Sequence, residues 1–93
     1  MKRSELVKKI ATKSGITTEA VTLVLTLAIE EIRQAVNQGE EVTLRTFGTF
    51  YRHVQPAKRV NDIRRGIPLT MPPQFIPKFK PGMKWKNEIK NNQ

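Results

Sequence analysis

The 93-residue sequence has no cysteine and a single histidine, tryptophan and tyrosine. Without cysteine, disulfides and thiolate metal sites are excluded, and one imidazole cannot build a histidine cluster within one chain. Acid is scarce too, with eight Asp and Glu against seventeen Lys and Arg. No apolar run reaches the roughly 18 residues that a membrane-spanning helix needs. The opening MKRSELVKK lacks the apolar centre of a secretory signal. The expectation is a cytoplasmic protein without membrane partner, metal or cofactor. Glycine loops of Walker or Rossmann spacing are missing as well. The neighbouring Glu30 and Glu31, and Glu40 and Glu41, do not converge on a shared proton, and His53 has no evident carboxylate or nucleophile beside it. Neither an enzyme nor a small-molecule substrate is expected.

What the chain does have is positive charge, unevenly placed. Residues 1–51 carry seven Lys and Arg against six acids, whereas residues 52–93 carry ten against two. A near-neutral half joined to a strongly basic half suits a base that presents a surface to a polyanion such as nucleic acid. The densest stretch is RHVQPAKRVNDIRRGIPLTMPP, residues 52–73. Its Arg52, Lys58, Arg59, Arg64 and Arg65 are met by the lone acid Asp62, and His53 adds a group that gains positive charge near an anion. The prolines at 56, 68, 72 and 73 exclude a central strand there. With strand-like TFGTFY before it and FIPKFKPG after it, the stretch reads as the long tip of a hairpin. Limbs of about ten residues at about 3.3 Å each reach on the order of 30 Å, enough to go around one side of a duplex.

The flanking chain reads as the base that aims this tip. Ser4 is placed to cap a first helix, in which Leu6, Val7, Ile10 and Ala11 recur on one side and Gly15 marks the end. Thr17 caps a second helix that runs to about Asn37 and stops at Gly39. This helix is apolar on more than one face: Val21, Val24, Leu25, Ala28, Ile32 and Ala35 form one stripe, and Leu23 and Leu27 lie elsewhere. A helix in a small monomer needs only one stripe, so the excess predicts a second partner surface. A 93-residue chain with a projecting tip has little left for a core, which argues for self-association. Short strands follow at Val42–Arg45 and Thr49–Val54, with Phe47 and Phe50 expected in the core. Phe75, Ile76 and Phe79 return the chain to the body, and Trp85 and Ile89, four apart, are expected to dock a short last helix.

The order of helix, helix, three strands with a long basic tip and short helix, together with FGTF at 47–50 and IPKFKPG at 76–82, resembles the HU/IHF family of bacterial histone-like, DNA-bending proteins over nearly the whole chain. The resemblance implies an α+β fold: two N-terminal helices, a three-stranded antiparallel sheet with a long β-ribbon arm, and a short C-terminal helix, in an intertwined dimer. Residues 1–39 would form the helical dimerisation base, 40–54 and 74–82 the saddle strands, 55–73 the DNA-binding arm, and 83–93 the C-terminal helix and tail. Lys58 and Arg59 match the basic limb of the arm, Gly66 its returning turn, and Arg3, Lys80, Lys84 and Lys86 basic positions on the saddle and flanks. Arg45, Arg52, His53, Asn61, Ile63, Arg64, Arg65 and Lys78 complete the expected DNA-contacting set. At the tip the chain departs from the family's Arg-Asn-Pro pattern with Asn61, Asp62 and Ile63. Ile63 then stands at the wedge position, apolar but without a locked φ angle.

The implied function is architectural. A dimer, most simply a homodimer, binds double-stranded DNA through the minor groove and bends or condenses it in the nucleoid, mostly without sequence readout. Two alternatives are a site-selective bender of the IHF kind, serving recombination or a mobile element, and a basic scaffold for RNA or an acidic protein.

Overall fold

In the computed structural model, which describes residues 1–62 and 66–92, the first helix starts earlier than a Ser4 cap would allow. Helix α1 (Arg3–Ser14) is preceded by Lys2 in an extended conformation, and the Lys2 carbonyl accepts from the amides of Glu5 and Leu6 at 3.1 Å each. Ser4 therefore lies inside the first turn, and no side chain caps this end. The helix stops where expected: Gly15 turns left-handed at φ 74°, and its amide donates to the Ala11 carbonyl at 2.9 Å. Glycine adopts that conformation without a Cβ clash. Helix α2 (Thr18–Asn37) is capped by Thr17, whose hydroxyl accepts from the Ala20 amide at 3.2 Å. At its far end Gly39, at φ 88°, turns the chain so that the Glu40 amide donates to the Ala35 carbonyl at 2.9 Å.

Two antiparallel sheets follow. Strands β1 (Val42–Leu44), β2 (Gly48–Gln55) and β5 (Gln74–Pro81) form one in the order β1-β2-β5, and β3 (Lys58–Asp62) and β4 (Ile67–Met71) form a separate two-stranded ribbon. Helix α3 (Met83–Asn91) closes the chain. The fold is thus α+β with the expected order of elements. The proline-rich stretch, which shows no alternation in sequence, is nevertheless regular: Lys58 pairs with Met71, Val60 with Leu69 and Asn61 with Pro68. Each strand of a two-stranded ribbon keeps a free edge, so Pro68 costs no ladder bond that a central strand would need. The same reason admits Pro77, because β5 is an edge strand.

The chain divides into two compact units, Met1–Gln34 and Ala35–Gln93. In the first, Val7 and Val21 are buried. In the second, Val36 is buried and the aromatics gather: the Phe50 and Phe79 ring centroids lie 4.7 Å apart, those of Phe47 and Phe79 5.1 Å, and Trp85 stacks on Phe47 at 5.1 Å with the planes 11° apart. Trp85 thereby docks α3, as its sequence spacing predicts, but Ile89 remains largely exposed. Gly48 makes the cluster possible, since a Cβ there would sit 2.5 Å from the Phe79 ring and from the Lys80 carbonyl oxygen.

Candidate nucleic-acid interface

Alternation along β2 divides the three-stranded sheet into two chemically different faces, because residues paired across antiparallel strands share a face. Phe50 pairs with Phe79, Arg52 with Pro77 and Val54 with Phe75, which makes one face apolar. Thr49 pairs with Lys80, Tyr51 with Lys78, His53 with Ile76 and Gln55 with Gln74, which makes the other polar and basic. The Thr43 and Thr49 hydroxyls, 3.1 Å apart, continue the polar face onto β1.

At one end of this face lies an open groove lined by Arg45, Lys80 and Lys86 together with Thr43, Thr46 and Thr49. Its shape follows from the turn between β1 and β2. The Phe47 amide donates to the Leu44 carbonyl at 3.0 Å, and Thr46 holds φ at 66°, a conformation that is unfavourable for a β-branched residue. The Gly82 amide donates to the Phe47 carbonyl at 2.8 Å, which sets the start of α3 against the same turn and brings Lys86 to the groove. Lys84 is exposed in the first turn of that helix.

At the other end the sheet gives way to the ribbon. The last sheet pair is Gln55 with Gln74 and the first ribbon pair Lys58 with Met71, so both strands break at Pro56–Ala57 and at Pro72–Pro73. On the ribbon, Lys58, Val60, Ile67, Leu69 and Met71 share one face and Arg59, Pro68 and Thr70 the other. Among the described residues of the arm, the cations Lys58 and Arg59 therefore point to opposite sides. Ile67, Leu69 and Met71 make an exposed apolar row, and Gly66 turns the chain into β4 at φ 67°.

The expected site residues thus sort by position. Lys78, Lys80 and His53 share the polar sheet face, Arg45 and Lys86 join Lys80 at the groove, and Lys58 and Arg59 lie on the ribbon. Asn61 belongs to β3 through its pairing with Pro68. Ile63, Arg64 and Arg65, which include the expected wedge, lie outside the described residues. In the first unit, Arg3 donates to the Thr26 hydroxyl across the two helices. Arg52 stands apart on the apolar face, where its guanidinium donates to the Asn37 carbonyl at 3.2 Å and lies 4.1 Å from the Phe75 ring centroid. The sequence does carry a signal for this, because Arg52 follows Phe50 by two and so shares its face. The same period places Tyr51 and Thr49 with His53 on the polar side, two residues that a search for cations passes over.

Among the described residues, no group of three or more His, Cys, Asp and Glu side chains is arranged to hold a metal ion, and no helix is long and apolar enough to cross a membrane.

Comparison with known proteins agrees with this architecture. Residues 1–90 match the family model described as "Bacterial DNA-binding protein". The DNA-binding protein HU of Thermotoga maritima is 37% identical over 91 residues, covering 97% of this chain and all of that one. Integration host factor subunit beta of Saccharophagus degradans is 29% identical over 90 residues, covering 96% and 92%. Among solved structures, Anabaena HU in a cocrystal with DNA superposes with a TM-score of 0.89 at 30% identity, covering 96% of this chain and 97% of that one. The 93-residue chain belongs to the bacterial DNA-binding protein family of HU and integration host factor.

Proposed function

We propose that two copies of this chain bind duplex DNA along the polar sheet face and bend it with their ribbons in the minor groove. The observation that carries the reading is the one-sided sheet: Lys78, Lys80 and His53 face away from the aromatic cluster, and the groove cations Arg45 and Lys86 extend that surface. The cocrystal of the similar Anabaena protein with DNA supports the same partner. Lysines and arginines that replace condensed cations along phosphates make binding weaken steeply with salt. Little base readout is expected from charge contacts in the minor groove, so the chain serves as a largely non-selective architectural protein of the nucleoid.

Dimerisation is part of the proposal and rests on exposed apolar surface. Leu23, Val24 and Leu27 of α2 are 59%, 65% and 49% exposed in the single chain, more than a small soluble fold leaves uncovered on one helix. Ile63 is proposed to wedge between base pairs. Isoleucine is among the side chains that unstack a step, at a cost of a few kcal/mol that the bent duplex returns by meeting more protein.

The deciding experiment is binding to linear and nicked duplexes across a salt series, with the bend followed by energy transfer between duplex ends. Affinity should fall by roughly 10³ to 10⁵ between about 50 and 200 mM salt if about 6 to 10 phosphates are neutralised. A flat salt response would refute phosphate neutralisation, and an unchanged bend for Ile63→Ala would refute the wedge. Equal binding to random and selected duplexes separates the non-selective reading from a site-selective one.

A further inference from the structure

By charge alone Arg52 belongs with the arm cations, but two contacts and a close backbone approach commit its guanidinium elsewhere. Its Nη1 donates to the carbonyl of Asn37, the last residue of α2, which has no acceptor role left within the helix. Its Cζ lies 4.1 Å from the centroid of the Phe75 ring. Gly39, at φ 88°, passes so close that a Cβ there would lie 2.9 Å from Nη2. Phe75 pairs with Val54 and is next to Gln74, the last sheet residue before the Pro72–Pro73 break. One side chain thus ties the end of α2 to the strand on which the arm returns.

We propose that Arg52 is a positioning residue that fixes the root of the arm and does not contact phosphate. The inference rests on the DNA-binding reading above. A two-stranded ribbon is marginal in water by itself, and this one is joined to the sheet only through residues 56–57 and 72–73, so its direction is set by the last sheet pairs. Those are Val54 with Phe75 and Gln55 with Gln74. The partial negative charge at a helix C-terminus favours a cation there. A planar guanidinium stacks through its face while donating in its plane, and a lysine ammonium on its flexible stem does not combine the two in a fixed geometry. When the root loosens, fewer arms are aimed for binding, and apparent affinity falls with that fraction.

Arg52→Met, Arg52→Lys and Phe75→Leu separate positioning from phosphate contact. Each is measured by duplex binding over a salt series, by amide exchange at Gln55 and Gln74, and by the distribution of bend angles at saturating protein. All three should weaken binding by roughly two- to fivefold at fixed salt, keep the wild-type salt slope, speed exchange at the root and broaden the bend distribution. The double variant Arg52→Met/Phe75→Leu should lose no more than Arg52→Met alone. A slope flattened by about 1.8 in Arg52→Met and restored in Arg52→Lys would make Arg52 a phosphate contact on both copies and overturn the proposal. Wild-type binding by Phe75→Leu, or an unchanged bend distribution at saturation, would also overturn it. If Arg52→Met does not fold, Phe75→Leu decides alone. Failure of the wild-type protein to bind DNA would refute the functional reading itself, whereas wild-type binding with Phe75→Leu unaffected refutes only the positioning role.

Discussion

Replacing Lys80 by glutamine tests whether the polar sheet face meets phosphates, because Lys80 is the one cation that belongs to both the sheet row with Thr49 and the groove with Arg45 and Lys86. The substitution leaves a shorter but still polar side chain and removes one charge per copy, two per proposed dimer. Each neutralised phosphate contributes about 0.9 to the slope of log affinity against log salt, so the slope should become less steep by about 1.8. Over a fourfold rise, from about 50 to 200 mM, that difference amounts to about 12-fold: the variant should lose about 12-fold less affinity than wild type. Fluorescence anisotropy of a labelled duplex at four or five salt concentrations reads the slope directly. Lys13→Gln, in the last turn of α1, supplies the control for general charge and should leave it unchanged. If Lys80→Gln binds with the wild-type slope, phosphates do not lie on this face and the interface must be sought elsewhere.

The turn and the apolar surface give further tests. Thr46→Gly should stabilise the fold by about 0.5–1 kcal/mol, because relief of the left-handed strain outweighs the entropy that glycine adds to the unfolded chain; a lower melting temperature would refute the strain. Gly48→Ala should destabilise by roughly 1–3 kcal/mol, since Phe79 and the Lys80 carbonyl must both give way, and an unchanged denaturation midpoint would contradict that close packing. Leu27→Glu places a charge on the exposed face of α2 and should shift sedimentation from dimer to monomer and abolish tight binding; a persistent dimer would place the subunit contact on another surface.

Features governed by neighbours in sequence are legible in the sequence itself. Gly15, Thr17 and Gly39 mark helix ends because one residue's backbone freedom or hydroxyl decides them. Phe50, Phe79 and Trp85 read as packing residues and gather with Phe47, but Phe47, expected in the core, stays 43% exposed in the single chain because it lies in the turn beside the cluster. Ser4 misled because a serine at N2 and a serine at the cap look alike in sequence, and only the extended Lys2 before it decides between them. The ribbon was harder to see. Its strands alternate weakly, and pairing of Lys58 with Met71 spans a turn whose register depends on where both chains break at proline. The Thr46 conformation was not legible, since sequence places a turn at residues 46–48 without fixing which residue carries positive φ. Arg52 shows the limit of counting charges: its sign says polyanion, but the face it occupies says helix end and aromatic ring.

The two sheets use the same alternation to different ends, and the difference lies in what stands behind them. On the three-stranded sheet one face is taken by Phe50, Phe79 and Phe75, so strand cations other than Arg52 have only the opposite face, and their charges add into one surface. The ribbon has no aromatic layer. Lys58 and Arg59 consequently leave on opposite sides, and the row of Ile67, Leu69 and Met71 stays 47%, 44% and 39% exposed. Such a ribbon is poorly stabilised in water, and an exposed apolar row of this kind marks a surface that something covers in use. A minor groove on the proposed reading supplies both complements, phosphates on either wall for the two cations and sugar carbons along the walls for the apolar row. On that reading the sheet carries its own core and would recruit DNA to one face, whereas the arm would obtain from DNA the packing that its own chain does not provide.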